Sequence, residues 1–362
     1  MAKGKTTSVP AKSRPKSKTA KGSPAETAPG GALKLPTRTV TLDLQQKCLN
    51  IFRDTFRPGE DDTALLQEVK GHLYNRDFAA AFGKEDYLRV YASRWSPSRA
   101  LGYLQVLTDI HEHISANTEA TCSEAEKKDR FKAVCIGGGA GAEVVALAGW
   151  TRLAEGQTSD RQVKSIDCRL LDIADWNTVV EDLQKAVTTP PELSKYASAA
   201  AKETNVALLA GNAFRAEFHQ TDALNMAEDQ CQELFVNVDL VTLMFTLNEL
   251  YSTSVPKTQQ MLAEITNNIR PGARLLVVDS SGSYSTVSLD GAEKKYPMQW
   301  LLDYTLIGTA QSGARGTPQW EKLVSDESRW FRLPQGLNYP IELENMRYQI
   351  HLYRRLTDTQ PG

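Results

Sequence analysis

The sequence contains no long uninterrupted hydrophobic run, although 41% of its 362 residues are hydrophobic. A membrane-spanning helix needs about 18 or more consecutive apolar residues, so an integral membrane protein is excluded. The amino-terminal segment also has no hydrophobic stretch of the kind that a secretory signal requires. We therefore expect a globular chain with no membrane partner, large enough to bury a full core without disulfide bonds.

Cysteine and histidine are both scarce, with five of each in the chain. No two cysteines form a C-x-x-C pair, and no histidine lies at the spacing of a zinc site. His111 and His113 are separated by two positions, which places them on different faces of a helix. We therefore expect no metal site, and the odd number of cysteines predicts a reducing compartment. The cysteines are Cys48, Cys122, Cys135, Cys168 and Cys231.

Acidic and apolar residues are nearly absent from residues 1–38, which contain nine lysines and arginines but only one acid, Glu26. This segment carries a formal charge of +8, and the rest of the chain carries −10. So few apolar side chains cannot offset the entropy cost of ordering, and we expect a disordered basic tail. Such a tail is either a solvated extension or an arm that contacts nucleic acid or directs nuclear import.

Residues 39–130 have the apolar spacing of a helical N-terminal domain. Ser96 and Pro97 are typical of a helix N-cap followed by the first helical residue, so we expect a new helix to begin there. The helices predicted before that point cover residues 44–56, 65–73 and 87–95, and the next one contains residues 101–114.

A strand-like run at residues 131–136 is followed by a glycine loop at residues 137–141 and by a helix pattern at residues 142–148. Strand, glycine loop and helix form the opening unit of a doubly wound α/β sheet. We therefore predict a mostly parallel sheet over residues 131–356, with an insertion on the substrate side around residues 283–345. Further strands are predicted at residues 165–171, 215–220, 238–245, 274–279 and 347–354, and helices at residues 176–187, 193–204 and 257–269.

The glycine loop is typical of a cofactor-binding turn. Gly137, Gly139 and Gly141 leave the backbone bare, and the N-terminus of the next helix favours polar or anionic groups. Counted as G-x-G-x-G, the loop fits the nucleoside of S-adenosylmethionine (SAM), whereas counted as G-x-G-x-x-A through Ala142 it fits a dinucleotide. A glycine-rich turn without a ligand is the third interpretation.

Acidic residues end the next two predicted strands. Asp172 could accept hydrogen bonds from both ribose hydroxyls of a nucleoside, or it could cap a helix. Trp176 could cover an adenine ring or belong to the core. Asp222 could accept a hydrogen bond from an adenine amino group or lie in a surface loop.

A continuous apolar strand at residues 239–247 leads directly into Asn248 and Glu249. In an open α/β sheet this position faces the crevice where ligands bind. The two residues therefore either contact substrate or cap the next helix. The turn Arg270-Pro271-Gly272 then precedes a returning strand that ends at Asp279.

Five ordered motifs together resemble the motif series of class I SAM-dependent methyltransferases. The RPG turn before a strand is an element that dinucleotide-dependent dehydrogenases do not share. The helical YASRWSPSRALGYL segment further resembles fungal large-subunit rRNA uridine-N3 methyltransferases, and the similarity spans residues 40–355. The motifs are VCIGGGAGAE, LLDIADW, HQTDAL, DLVTLMFTLNELY and RPGARLLVVDSSGSYSTV.

The resemblance implies a seven-stranded, mostly parallel sheet with helices on both faces, and SAM as the cofactor. Cys135 stands where the first motif of this class usually has an acid, and Glu143 is expected to take over part of that role. The spacing from Gly141 to Asp172 is longer than usual, which suggests an insertion around residues 153–164. The residues implied to bind SAM are Gly137, Gly138, Gly139, Gly141, Glu143, Asp172, Ile173, Trp176, Asp222, Ala223 and Phe245.

The resemblance also implies methyl transfer to N3 of a uridine in large-subunit rRNA. Glu249 is the preferred general base, with Asn248 beside it and Asp279 as the alternative base. Because N3 lies on the base-pairing edge, the uridine must be unpaired or flipped out. Aromatic residues in the carboxyl-terminal part of the chain either stack on bases or pack in the core. Basic residues in the same part either contact phosphate groups or are simply solvated. These residues are Tyr251, Tyr284, Trp300, Tyr304, Trp320 and Trp330, with Lys294, Lys295, Arg315, Lys322, Arg329 and Arg332.

The implied partner is rRNA or a pre-ribosomal particle, and we expect a monomer found in the nucleus, the nucleolus and the cytoplasm. The residues leave three other functions open. The first is a class I methyltransferase that modifies a protein or a small molecule, and the second is a non-catalytic ribosome assembly factor with this fold. The third is a nicotinamide-dependent oxidoreductase.

Overall fold

The computed structural model describes residues 39–115, 130–155, 163, 165–282, 284–289, 292–308 and 319–357. The predicted basic tail, Cys122, Arg315 and most of the insertion suggested at residues 153–164 lie outside these ranges. Within them, no helix is long and apolar enough to cross a membrane. The same residues contain no cluster of three or more side chains that could hold a metal ion.

A seven-stranded sheet forms the centre of the fold. The strands of the described residues are β1 Phe131–Ile136, β2 Ile166–Asp172, β3 Phe214–Gln220, β4 Leu240–Met244, β5 Arg274–Ser280, β6 Tyr284–Leu289, β7 Ala292–Pro297, β8 Trp320–Phe331 and β9 Met346–Arg355. The sheet order is β3-β2-β1-β4-β5-β9-β8; β9 pairs antiparallel with both β5 and β8, and the other four pairings are parallel. The predicted mostly parallel seven-stranded sheet is therefore confirmed. β6 and β7 form a separate antiparallel hairpin.

The central strands are apolar because helices cover both faces of the sheet. All residues of β4 are buried, as are the first six of β5. β8 lies at the sheet edge, has two register shifts against β9, and buries only three of its 12 residues. The sequence does not predict β8, because so polar a strand has no apolar periodicity. Residues 320–331 of the suggested insertion therefore belong to the sheet.

Twelve α-helices lie in the described residues. They are α1 Leu42–Phe56, α2 Thr63–Tyr74, α3 Phe78–Ala81, α4 Glu85–Asp109, α5 His111–Ser115, α6 Ala142–Glu155, α7 Asn177–Thr188, α8 Ala199–Glu203, α9 Glu228–Phe235, α10 Leu247–Thr253, α11 Val255–Asn268 and α12 Met298–Leu306. The helix predicted over residues 193–204 is wrong except for α8. No residue of α8 is buried, so no apolar packing stabilises a longer helix there.

The helix start predicted at Ser96 is also wrong, because α4 runs without a break through Pro97. Proline has no N–H, so the carbonyl of Ser93, four residues earlier, loses its helical partner. The Tyr339 hydroxyl donates to that carbonyl at 2.8 Å instead. A residue far away in the sequence thus satisfies the group that would otherwise favour ending the helix.

The N-terminal helices share a core with the sheet. On one face, α1 and α4 pack with α6 and α7 over an apolar cluster that includes Leu49, Tyr103 and Leu147. On the other face, α9, α11 and α12 cover a second cluster around Leu262 and Tyr353. The helical segment is therefore part of the packing of the sheet, and the boundary predicted near residue 130 stays a prediction.

Candidate functional site

The carboxyl ends of β1, β2, β4 and β5 meet at one edge of the sheet, where the glycine loop joins β1 to α6. Gly137 and Gly141 have φ angles of 76° and 80°, in the left-handed region that favours glycine. The Gly137 N–H donates to the Leu171 carbonyl at 2.7 Å, and the Gly141 N–H donates to the Gly138 carbonyl at 3.0 Å. Backbone hydrogen bonds thus fix the loop against the end of β2.

The glycines of the loop also permit close packing by other parts of the chain. An added Cβ would overlap a side chain at four positions: Gly137 against Thr246, Gly138 against Cys135, Gly139 against Trp176, and Gly141 against Leu183. The sequence alone leaves this bare backbone as a cofactor-binding turn or as a glycine-rich turn without a ligand. The structure shows that the glycines are required for the packing of the protein itself as well.

Trp176 belongs to a buried aromatic cluster beside Gly139. The centroid of its ring lies 5.4 Å from that of Phe82 and 5.7 Å from that of Tyr91. The Tyr91 ring in turn lies 4.7 Å from that of Trp95. Trp176 therefore belongs to the core, which was one of the two interpretations of this residue. That it also covers an adenine ring stays a prediction.

Asp172 ends β2 next to the glycine loop. Its Oδ2 accepts a hydrogen bond from the Gly139 N–H and its Oδ1 accepts one from the Ala174 N–H, both at 3.3 Å. Burial raises the pKa of Asp172, although the backbone amides oppose that rise. A carboxylate has about four lone-pair sites, so Asp172 can accept further hydrogen bonds from a sugar.

The end of β3 places Asp222 beside Asp172. The backbone N–H of the residue before Asp222 donates to the Asp172 carbonyl at 2.8 Å. The Oδ1 atom of Asp222 accepts a hydrogen bond from the Leu224 N–H at 2.9 Å, which stabilises the loop around the half-buried Ala223. Ile173 is exposed at the same rim. Contacts of these residues with a cofactor stay predictions.

Glu143 lies in the first turn of α6 and is only 4% exposed. Burial raises the pKa of its carboxyl to about 8, although a backbone hydrogen bond and the charge of Arg99 favour the ionised form. Its Oε1 has no hydrogen-bond partner among the described residues. Leaving a buried acceptor unpaired is costly, so this atom fits a donor from a ligand, such as an ammonium group.

Cys135, which replaces the usual acid of the first motif, is buried near the end of β1. Burial raises the pKa of its thiol, and the charge of Glu143 adds to that rise. The Glu143 carboxyl therefore lies close to the position where this class usually has an acid. This placement supports the expectation that Glu143 takes over part of that role.

The turn between β4 and α10 presents polar atoms to the same edge. Phe245 has a φ angle of 59°, and the Arg99 guanidinium lies 5.1 Å from the centroid of its ring. The Asn248 N–H donates to Oδ2 of Asp279 at 3.0 Å. The Asn248 Oδ1 atom is buried and has no hydrogen-bond partner within the described ranges. Like the Glu143 carboxyl, this amide oxygen is an acceptor that a ligand could use.

The two candidate general bases lie in different environments. Glu249 is half exposed and forms an ion pair with Arg76 of the loop after α2. Asp279 is buried, and burial raises its pKa although its carboxylate accepts hydrogen bonds from the Asn248 and Ser280 amides. Glu249 is therefore accessible to a large substrate, whereas Asp279 fixes the start of α10.

One face of α4 covers this edge of the sheet. Its aromatic and basic residues recur every four positions: Tyr91, Trp95, Arg99 and Tyr103. The Ser96 hydroxyl also donates to the Ala140 carbonyl of the glycine loop at 2.6 Å. The sequence motifs identify this segment only by its resemblance and do not predict that it contacts the site. The four-residue spacing is the signal that could have indicated a shared face.

The late aromatic residues are divided between the core and the surface. Tyr251 and Trp320 are buried and belong to the core, whereas Trp300, Tyr304 and Trp330 are exposed. Two of the basic residues, Lys322 and Arg329, form ion pairs with Asp303 and Asp109. Lys295 and Arg332 are exposed. The side chains of Tyr284 and Lys294 are not among those that the structure describes.

Residues 52–354 match a protein family described as "Putative SAM-dependent methyltransferase". The chain therefore belongs to this family of SAM-dependent methyltransferases, and the predicted cofactor and enzyme class are confirmed. Over 352 residues, 91% of this chain and 91% of the relative, it is 32% identical to a Saccharomyces cerevisiae protein named 25S rRNA (uridine(2843)-N(3))-methyltransferase.

Solved structures also resemble the chain. A SAM-dependent methyltransferase from Clostridium acetobutylicum is 9% identical, with 79% of this chain and 100% of that chain covered and a TM-score of 0.36. Magnesium protoporphyrin IX methyltransferase from Synechocystis, solved with bound SAM, is 12% identical, with 88% of this chain and 100% of that chain covered and a TM-score of 0.34.

Proposed function

We propose that this protein methylates N3 of a uridine in large-subunit rRNA. The observation that carries the proposal is the 32% identity to the yeast rRNA uridine-N3 methyltransferase over 91% of both chains. The family match at residues 52–354 includes α4 as well as the sheet, so the helices that cover the site are part of the likeness. A likeness limited to the sheet would support methyl transfer but no particular substrate.

The polar atoms around the glycine loop fit SAM. Asp172 would hold the ribose hydroxyls, Glu143 would accept from the ammonium group, and Asp222 would accept from the adenine amino group. The Oε1 atom of Glu143, which has no partner among the described residues, is the strongest observation for this fit, because a buried acceptor needs a donor. When bound, SAM supplies a methyl group that is already activated by its attachment to a positively charged sulfur.

The residues of this chain then have two tasks, which are to align the uridine and to remove the N3 proton. Alignment of the attacking atom with the methyl group supplies much of the acceleration. Glu249 is half exposed at the first turn of α10, where the uridine of an entering RNA can reach its carboxylate. We propose that this carboxylate accepts the N3 proton. The Glu249 carboxylate forms an exposed ion pair with Arg76. The preceding residue, Asn248, has a buried amide oxygen without a hydrogen-bond partner among the described residues.

We further propose that the substrate is an unpaired or flipped uridine in rRNA or a pre-ribosomal particle. N3 is hidden in a base pair, so the RNA must present it outside a helix. We expect the enzyme to act as a monomer in the nucleus, the nucleolus and the cytoplasm. The basic tail with its charge of +8 supports nuclear import or RNA contact.

Nucleoside mapping of rRNA from cells that lack the protein tests this function. We expect one 3-methyluridine of large-subunit rRNA to be missing and to return when the gene for the full chain is restored. Incubation of the unmodified rRNA with the purified protein and SAM should produce the same nucleoside. Unchanged 3-methyluridine in the deficient cells would contradict the proposal and favour a protein or small-molecule substrate.

A further inference from the structure

Trp330 is a large aromatic residue that the fold leaves on the surface. Its side chain is 52% exposed near the end of the edge strand β8. The guanidinium carbons of Arg332 and Arg347 lie 4.8 and 5.9 Å from the centroid of its ring. We call Trp330, Arg332 and Arg347 the Trp330 cluster. None of its members packs into the core of the sheet, so core packing does not explain the arrangement.

The strand register places the Trp330 cluster at the same end of the strands as the candidate active site. Trp330 lies opposite Arg347 in the pairing of β8 with β9. The next residue of β9, Tyr348, lies opposite Ser280, which follows Asp279 in β5. Adjacent strands are about 4.8 Å apart and successive residues of a strand about 3.3 Å. Trp330 lies two strands and two residues from Asp279, so its backbone is about 12 Å from that of Asp279.

The charges of the Trp330 cluster are available to an anion. Within the described part of the chain, neither Arg332 nor Arg347 forms an ion pair with a carboxylate. Arg347 donates through Nε and Nη2 to the neutral Ser328 hydroxyl, at 3.2 and 3.1 Å. Arg329 of the same strand differs, because it pairs with the buried Asp109 at the end of α4. Two positive charges thus remain on the side of β8 that carries Trp330.

This combination of groups suits single-stranded RNA. An exposed indole can stack on a base of any sequence, and arginines beside it can contact the phosphates on either side. The proximity to Asp279 places such a base next to the uridine that would be methylated. An acidic peptide would use the arginines but would leave the indole face without a planar partner.

We propose that the Trp330 cluster binds a nucleotide that flanks the target uridine, with its base on Trp330 and its phosphates on Arg332 and Arg347. This inference rests on the proposed function, because that function makes RNA the substrate of this edge. The cluster would hold the substrate strand in place and would not take part in the transfer of the methyl group.

Binding of a short fluorescein-labelled oligouridylate to the full chain tests the cluster separately from methyl transfer. Trp330→Ala should weaken binding about 5- to 100-fold, since one base–aromatic stack is removed. Trp330→Phe should retain most of the affinity. Arg332→Gln combined with Arg347→Gln should reduce the slope of log K against log salt by about 0.7 for each phosphate that is no longer neutralised. SAM affinity should stay unchanged in every variant.

Tyr196→Ala is the matched control, because Tyr196 is a 95% exposed aromatic residue between α7 and β3, the strand at the opposite edge of the sheet. It should bind the oligouridylate as the wild type does. Equal affinity of Trp330→Ala and wild type would overturn the proposal, as would equal losses in Trp330→Ala and Tyr196→Ala. Trp330→Ala could weaken oligouridylate binding while cells that lack the protein keep all of their 3-methyluridine. In that case the proposed function fails and the RNA-binding site at Trp330 stands.

Discussion

The two halves of the carboxyl edge of the sheet differ in burial and in charge. Around β1, β2 and β5 the edge contains the buried acids Glu143 and Asp279 and the half-buried Asp172, and α4 covers it. Around β8 and β9 it contains the exposed Trp330 with two arginines that form no ion pair among the described residues. The half around β1, β2 and β5, which we call the enclosed half, has hydrogen-bond acceptors under a covering helix and suits a small cationic cofactor. The half around β8 and β9 is exposed and positively charged, which suits a polyanion. Glu249 lies at the rim of the enclosed half, open to a substrate.

The largest effect should follow from Glu249→Gln, which removes the carboxylate at that rim. We expect kcat to fall about 10²- to 10⁴-fold, the usual contribution of a general base. The folded state should be nearly unaffected, because exposed ion pairs contribute about 1 kcal/mol or less. Single-turnover methylation of unmodified rRNA at saturating SAM measures the change.

Arg76→Gln is the control for Glu249→Gln, since it breaks the same ion pair but keeps the carboxylate. Its kcat should stay within a few-fold of that of the wild type. If Glu249→Gln also stays within that range, Glu249 is not the base, and Asp279→Asn becomes the variant to measure.

Gly139→Ala should have the next largest effect, and it tests the packing around the glycine loop. The new Cβ would overlap the Trp176 ring, which is held by Phe82 and Tyr91. Overpacking of this kind lowers the free energy of unfolding by about 1–3 kcal/mol. Urea denaturation measures it. Gly211→Ala, where nothing lies within 4 Å of the added Cβ, should change stability by less than about 0.5 kcal/mol. Equal losses in the two variants would show that Trp176 is not packed against the loop.

Glu143→Gln should have an effect on stability that depends on pH. The pKa of Glu143 rises from 4.5 to about 8 in the folded protein, so between these values the folded state binds more protons than the unfolded state. The free energy of unfolding of the SAM-free protein therefore falls as pH rises from about 4.5 through 8. Glu143→Gln should lack this component, and the exposed Glu181→Gln should keep it. Parallel denaturation profiles of wild type and Glu143→Gln would contradict the burial of an unpaired carboxyl.

Local patterns were sufficient to predict much of the enclosed half. β1, the glycine loop and the helix after it form one short unit, and β4 and β5 are continuous apolar runs. Such features depend on neighbours in the sequence and on burial between two layers of helices, which the residue pattern reflects directly.

The remaining features depend on contacts between distant residues. α4 continues through Pro97 because Tyr339, more than two hundred residues later, satisfies the freed carbonyl. The polar pattern of β8 becomes a strand only because β9 pairs with it. The contact of Ser96 with the glycine loop and the ion pair of Glu249 with Arg76 likewise join distant segments. No local pattern could have indicated these pairings.

Calorimetric titration of SAM into the full chain, its Asp172→Asn variant and its Asp175→Asn variant tests the central claim most directly. Asp175 lies in the same turn but is exposed, and its carboxylate accepts a hydrogen bond from the Asn177 N–H. We expect one SAM site in the wild type and in Asp175→Asn, and an affinity about 100-fold lower in Asp172→Asn, because hydrogen bonds to a charged group contribute about 1.5–3 kcal/mol each. Absence of SAM binding in the wild type, or equal binding by all three proteins, would contradict the claim that Asp172 and the glycine loop hold the cofactor.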